Sequence, residues 1–258
     1  MKKIKIGFLI LTFLVVLSLL FMGKGEINTN LSLSLPSLSH PFGFDSLGRD
    51  LLARESYALL VSLSIGLVST SLSLFFAIIL LAMRRRGSLL GYLSSSFSRS
   101  IKTIPSLVLA LFFYSIGLKG RVMLITTLAL SSSCSLSLFL YPLVEKTEKE
   151  EYILAARALG LSNTTIYFKY IIPSIWPYLR EELTSSVIYN ILTESSLSFL
   201  CVGLDSSIPT LGRILADGRA VILTYPHVVL FPSLLLVLLV SSIMLINRGF
   251  SELNSSLY

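Results

Sequence analysis

The feature that most constrains this chain is a set of six long apolar runs almost free of charge. The first is Ile6–Gly23, 18 uncharged residues between Lys5 and Lys24. The second lies within Ser56–Met83 and ends at Arg84-Arg85-Arg86. The third centres on Thr103–Leu118, and the fourth is Val122–Val144. The fifth is about Leu183–Leu204, interrupted only by Glu194. The sixth lies within Ala220–Asn247. A helix rises about 1.5 Å per residue, so about 20 apolar residues cross a hydrocarbon core. Irregular backbone facing lipid leaves amides unpaired, so such runs are expected to be helical. Membrane-spanning strands would be shorter and would alternate apolar with polar residues. Only 14% of the 258 residues are charged, against roughly 25% in an ordinary soluble domain. Mean hydropathy is +0.81. The expected fold class is an all-α integral membrane protein with six transmembrane helices.

The first run also has the layout of a secretory signal, with Lys2 and Lys3 ahead of an apolar stretch. No small-x-small cleavage site follows, because the exit reads Leu20-Phe21-Met22-Gly23-Lys24. Eighteen residues are also long for a signal core. The run is therefore expected to be an uncleaved anchor.

Orientation follows from Lys and Arg. With the N-terminus inside, 14 basic residues fall on the cytoplasmic side and seven outside. That bias predicts an N-in, C-in topology. It also accounts for the net charge of +7 without nucleic acid, whose binders concentrate charge on a soluble face. The expected divisions are residues 1–23 as tail and first span, 24–55 as an extracytoplasmic segment, 56–247 as the core, and 248–258 as a cytoplasmic tail. Within the core, residues 145–182 form the long cytoplasmic loop. The partners expected from composition alone are membrane lipids.

The two cysteines, Cys134 and Cys201, both fall in expected spans without zinc-site spacing. Small packing residues are the plain reading. In the 24–55 segment, Leu31-Ser32-Leu33-Ser34-Leu35 alternates with period two, which fits a short strand or a linker equally. Next comes His40-Pro41-Phe42-Gly43-Phe44-Asp45-Ser46-Leu47-Gly48-Arg49-Asp50. Pro41, Gly43 and Gly48 punctuate a turn, while Asp45, Arg49 and Asp50 can pair or cap a following helix. His40 lacks a ligand cluster, so no metal site is expected.

The long cytoplasmic loop reads as helix, break, helix. Leu154-Ala155-Ala156-Arg157-Ala158-Leu159 are good helix formers. Gly160 stands where a left-handed cap is wanted. Ser162 and Asn163 can cap the next helix, and Pro173 is expected to end it. The small alanines permit close approach by another body. An interfacial helix on lipid headgroups fits the same pattern.

This loop resembles the cytoplasmic signature of binding-protein-dependent ABC importer permeases: Glu-Ala-Ala, three residues, Gly, about nine residues, then Ile-x-Leu-Pro. Ala155, Ala156, Gly160 and Pro173 match at that spacing. Leu154 replaces the Glu, Tyr170 stands at the Ile position, and Ile172 replaces the Leu. The 40–50 segment, Ala155 to Gly160, Glu194-Ser195-Ser196-Leu197-Ser198-Phe199-Leu200, Asp217-Gly218-Arg219, Pro226 and Phe231-Pro232 resemble the second permease of dipeptide, oligopeptide and nickel importers. The resemblance runs in order from about residue 40 to 235.

The family resemblance implies a coupling helix docked on a separate ATPase, whose closure rocks the membrane helices by alternating access. It implies a second homologous permease in a heterodimer, two ATP-binding subunits, and an extracytoplasmic substrate-binding protein. Leu154, Ala155, Ala156, Arg157, Gly160 and Pro173 would form the coupling loop. No G-x-x-x-x-G-K-[ST] loop occurs, so ATP and Mg belong to partner subunits, and no cofactor or metal is expected on this chain. Di- and oligopeptides are the first substrate class, and nickel or another metal chelate the second.

Glu194 costs about 2.5–3.5 kcal/mol at a bilayer centre. It is expected either to face the pathway or a subunit interface, or to bond to Thr193, Ser195 or Ser198. A membrane enzyme is the competing class. His40 and His227 are too far apart for a zinc protease, Asp205 and Asp217 are read as loop residues, and His227 is the one base near a span.

Overall fold

The computed structural model describes residues 2–23, 26–85, 88–202 and 209–255. Lys24, Arg86 and Asp205 lie outside them. Ten α-helices occur among the described residues: α1 (Lys2–Phe21), α2 (Leu51–Arg85), α3 (Ser88–Thr103), α4 (Ser106–Ser115), α5 (Gly120–Glu148), α6 (Glu151–Ala158), α7 (Asn163–Ile166), α8 (Ile172–Phe199), α9 (Leu211–Gly218) and α10 (His227–Ser255). A π-helical turn, Tyr167–Ile171, joins α7 to α8. No strand occurs among the described residues. The Leu31–Leu35 stretch instead follows a 3-10 turn, Thr29–Leu31.

Four helices, α1, α2, α5 and α10, are long and apolar enough to cross a membrane. Helix α8 has 28 residues but carries Arg180, Glu181, Glu182 and Glu194. The third run departs from expectation. A single span was expected around Thr103–Leu118, yet the chain divides into α3 and α4 at Pro105. Proline has no N–H and drives Ile104 out of the helical region. Only ten residues remain for α4, while the serine-rich α3 packs on α2 and α5.

Other boundaries shift too. Helix α5 runs on to Glu148 and α8 starts at Ile172, so the expected 145–182 loop takes in the end of α5, the 149–171 segment and the start of α8. Helix α2 begins at Leu51, inside the expected 24–55 segment, and α10 extends through the expected 248–258 tail to Ser255. Cys134 is buried in α5, but Cys201 lies past the end of α8, exposed and with φ of 58°. Asp217 sits on α9 rather than in a loop.

Helix α2 is the centre of the bundle, packed along α5 and α8, with α1 and α10 paired on one flank. One apolar cluster joins α1, α2, α8, α9 and α10 through Leu14, Leu59, Ile191, Leu211 and Leu239. A second joins α2, α5, the 149–171 segment and α8 through Ala77, Leu140, Ile153, Ile166 and Ile175. Lipid tails are as apolar as these side chains, so close backbone approach matters more than water exclusion. Gly7 of α1 shows this best: a Cβ there would stand 2.6 Å from the Ser242 carbonyl oxygen of α10. At the same flank the Lys3 ammonium pairs with the Glu252 carboxylate.

Gly7→Leu is expected to push α1 off α10 and to cost about 1–3 kcal/mol, as overpacking does. Thermal unfolding in detergent should show a lower midpoint, and an unchanged midpoint would contradict this packing.

Candidate functional site

The 149–171 segment is built as a supported hairpin at the end of the bundle where α2 and α5 finish. Glu150 is the N-cap residue of α6. Helix α6 buries Ile153 and Ala156 in the second cluster and turns Leu154 and Ala155 outward. The two signature alanines therefore do different things: Ala156 packs inward and Ala155 lies on the free face. Gly160 has φ of 77° and closes the helix, with its N–H donating to the Arg157 carbonyl at 3.0 Å and the Leu161 N–H donating to Ala156 at 3.2 Å. An L side chain is disfavoured in that left-handed region. Around Gly160 the space is open, since a Cβ would meet nothing within 4 Å.

Ser162 caps α7 by accepting from the Thr165 N–H at 3.2 Å. The chain then passes through the π-turn straight into α8. Pro173 therefore opens a helix instead of ending one, a correction to the sequence reading. Its missing N–H is tolerated in a first turn. Arg157 Nη2 lies 3.5 Å from Glu148 Oε1, and the Tyr167 hydroxyl donates to the same carboxylate. Arg157 thus ties α6 back to the end of α5.

Glu194 is fully buried within the subunit. Ser198 Oγ donates to its Oε1 at 2.5 Å and Ser195 Oγ to its Oε2 at 3.4 Å. The Ser62 and Thr210 hydroxyls stand beside the same carboxyl. Ser62 belongs to α2 and Thr210 is the N-cap of α9. The carboxyl therefore joins three helices. The backbone shows how tight the join is: a Cβ on Gly212 of α9 would stand 2.1 Å from the Ser195 carbonyl oxygen. Of the partners expected from sequence, Ser195 and Ser198 are present. One turn earlier on α8, Asn190 donates to Thr70 Oγ1 of α2 at 3.0 Å and accepts from Ser132 Oγ of α5 at 2.7 Å.

At the start of α2, the 40–50 segment folds into a compact knot. Asp45 Oδ1 accepts from the backbone N–H of Leu47 at 2.9 Å and of Arg49 at 3.0 Å. Its Oδ2 accepts from Arg49 Nε at 2.7 Å and Arg54 Nη1 at 3.0 Å. Asp50 caps α2 through the Ala53 N–H at 2.9 Å and meets His40 Nδ1 at 2.5 Å. Gly48, with φ of 68°, must be glycine, because a Cβ would lie 1.8 Å from the Asn28 carbonyl oxygen. Gly43 also has positive φ, and its carbonyl accepts from the Leu51 N–H at 3.0 Å. Pro41 sits in the turn between them and His40.

The knot continues into α9. Arg54 Nη2 donates to Asp217 Oδ2 at 2.7 Å. Arg213 Nε lies 3.1 Å from Asp217 Oδ1, close enough to pair but out of line for a hydrogen bond. Glu55, next along α2, is fully buried, and among the described residues neither carboxyl oxygen has a hydrogen-bond partner. Among the described residues no cluster of three His, Cys, Asp or Glu side chains could hold a metal ion.

Sequence reasoning named Asp45, Arg49 and Asp50 but missed Arg54, Arg213 and Asn190. A signal existed for each: Arg54 lies four residues after Asp50, Arg213 four before Asp217, and Asn190 is an amide inside an apolar run.

A sequence model described as the inner membrane component of binding-protein-dependent transport systems matches residues 72–253. The oligopeptide transport permease OppC of Bacillus subtilis is 26% identical over 77% of this chain, and the match spans 65% of that relative. The dipeptide permease DppC of Alkalihalophilus pseudofirmus is 29% identical over 90% of this chain and 74% of its own length. The glutathione permease GsiD of Pectobacterium atrosepticum is 28% identical over 84% of this chain and 72% of its own. In fold, the chain resembles a subunit of the inward-facing MetNI methionine ABC transporter, with a TM-score of 0.61, 20% identity, and 81% and 96% of the two chains covered. An amino acid ABC transporter gives 0.58 at 16% identity, covering 79% and 92%.

Asp45→Ala strips the buried Arg54 of one carboxylate and is expected to cost about 3–5 kcal/mol, as breaking a buried pair does. Combining it with Arg54→Met should cost less than the sum of the two, since both remove one interaction. Glu194→Ala leaves its hydroxyl donors without an acceptor and is expected to cost about 1–3 kcal/mol, with Glu194→Gln milder. Unfolding in detergent measures each, and additive costs for Asp45 and Arg54 would contradict the ion pair.

Proposed function

Since the chain belongs to the inner membrane components of binding-protein-dependent transport systems, we propose that it is the permease subunit of an ATP-driven importer of di- and oligopeptides. It acts as a transport subunit and not as an enzyme. ATP and Mg are bound by two partner ATPases, and substrate arrives on an extracytoplasmic binding protein. A second permease supplies the other half of the pathway.

The observation that carries this reading is the unbroken helical connection from the 149–171 segment into α8. Helix α6 is fixed to α5 by Ile153, Ala156 and Arg157, so force applied to its free face acts on the bundle. Through the π-turn the same force enters α8. That helix is tied to α10 by Asn247, which donates to Ser185 Oγ at 2.7 Å, and by Asn254, which accepts from Arg180 at 2.9 Å. Farther along, Asn190 and Glu194 tie it to α2, α5 and α9. Leu154, Ala155 and Gly160 form the contact with the ATPase, Ala156, Arg157 and Pro173 support it, and Glu194 positions α9.

Six crossings fit α1, α2, the α3–α4 pair, α5, α8 and α10. The 14-to-seven Lys/Arg bias supports the 149–171 segment and both termini facing the cytoplasm. Residues 26–50 and α9 then face outward, where a binding protein docks. Peptides are favoured as substrate because the named relatives carry oligopeptides, dipeptides and glutathione.

Deleting the gene is expected to abolish uptake of labelled di- and tripeptides by cells, with recovery from a plasmid copy. Unchanged peptide uptake together with loss of labelled nickel uptake would overturn the substrate class. Gly160→Trp is expected to abolish uptake while leaving the protein in the membrane at wild-type level. Wild-type uptake by that variant would remove the coupling role of the loop.

A further inference from the structure

The 26–50 segment divides its apolar side chains between two directions. Leu33 and Phe42 pack inward on the first apolar cluster. Phe42 also stacks on Phe231 of α10, with ring centroids 4.2 Å apart and planes 5° from parallel. Leu35 and Leu38 are left outside: Leu35 is 66% exposed and Leu38 fully exposed. From Ile27 to Phe44 the chain has no Asp, Glu, Lys or Arg. His40 is the one titratable side chain in that stretch, and its Nδ1 meets Asp50. An exposed apolar tip in a charge-free stretch marks a surface made for another apolar phase.

The tip stands at the rim of a flank that is itself apolar on the outside. Phe231 lines an open trough on α10 with Leu230, Leu234 and Val237, and those three side chains are exposed. Helix α1 packs chiefly on α10 and α2, and its last turn leaves Leu19, Leu20 and Phe21 exposed. The backbone of the tip is also arranged for scarce water. The Ser34 N–H donates to the Leu31 carbonyl at 3.1 Å, and those of Ser37 and Gly43 to the His40 carbonyl at 3.0 Å each. The Phe44 N–H donates to the Ser34 carbonyl at 3.0 Å and the His40 N–H to Ser37 Oγ at 3.2 Å. Pro36 and Pro41 carry no N–H at all.

We propose that residues 35–38 form an interfacial wedge, with Leu35 and Leu38 inserted at the boundary between the headgroups and acyl chains of the leaflet at that end of the bundle. Irregular backbone does not enter the hydrocarbon core, which limits the depth to that boundary. The Ser37 and Ser39 hydroxyls, 3.3 Å apart, then lie among the headgroups. A lipid surface is favoured over a docking protein on two grounds. The tip continues the apolar outside of α1 and α10, and it lacks the charges by which a soluble partner is steered and held in register. The wedge fixes the height of the 40–50 knot on the membrane, and through Arg54 and Asp217 that of α9. It does not depend on what the subunit carries.

The test places a tryptophan at the tip of the complete transporter, reconstituted in vesicles of phosphatidylcholine and phosphatidylglycerol. Emission is read as the difference between Leu38→Trp and the wild-type transporter. The added signal should lie at shorter wavelength than that of N-acetyltryptophanamide in buffer. Lipids brominated at shallow acyl positions should quench it, aqueous iodide should not, and added binding protein should change neither result. Leu35→Trp repeats the reading from the second tip residue, so poor assembly of one variant leaves the test intact. Full quenching by iodide without quenching by brominated lipid would put the tip in water and overturn the wedge. Shielding from both quenchers would reveal a protein cover and overturn it equally. Stronger quenching by deep than by shallow bromine would overturn the boundary placement.

Discussion

The Glu194 carboxyl sets a condition that the rest of the bundle meets. Inside an apolar helix bundle a polar group has no water to turn to, so it must be met by other protein groups. Glu194 is met by hydroxyls from α2, α8 and the cap of α9. That requirement fixes the rotation of α8 and the seat of α9 together. Gly212 follows from it, because α9 comes so near the α8 backbone that no side chain fits. Asn190 applies the same rule one turn away and adds α5.

Helix α8 consequently behaves as one body along its length. Ile175 and Leu179 hold its start in the second apolar cluster. Asn254 also donates to the Pro177 carbonyl at 2.9 Å, where an interior proline disturbs the helix ladder. The chain enters α8 through the π-turn Tyr167–Ile171, where the backbone leaves the regular α-helical ladder. Such wide turns place a backbone irregularity where an element can re-aim. At the far end α9 is held to the 40–50 knot through Asp217 and Arg54, so residues distant in sequence form one plate.

Much of this was legible in the sequence, and the misses have physical causes. Apolar runs located α1, α2, α5 and α10 because lipid demands long unbroken helices. Gly160 and Ser162 announced the break between α6 and α7, since a left-handed cap and a hydroxyl cap each have one favoured residue set. Pro173 misled because proline both ends and begins helices, and only the π-turn before it decides between them. Pro105 was overlooked inside an apolar stretch, where hydropathy is blind to a missing N–H. Arg54 and Asp217 lie 163 residues apart, and no local pattern connects them. Leu154 could be seen as a departure from the signature, but its exposure depends on how α6 rolls onto Ile153 and Ala156.

The pairing of Lys3 with Glu252 carries a topological consequence. The start of α1 and the end of α10 meet at one end of the bundle, so the path between them leaves that end and returns to it. A path that starts and finishes on one face of a sheet of lipid crosses it an even number of times. The division of the third run into α3 and a ten-residue α4 therefore does not alter the parity: those two helices together either traverse once or the count elsewhere must change to compensate. Lys3 and Glu252 lie at the same end of the bundle whatever the depth of α4, and the contact between their oppositely charged side chains holds the start of α1 to the last turns of α10.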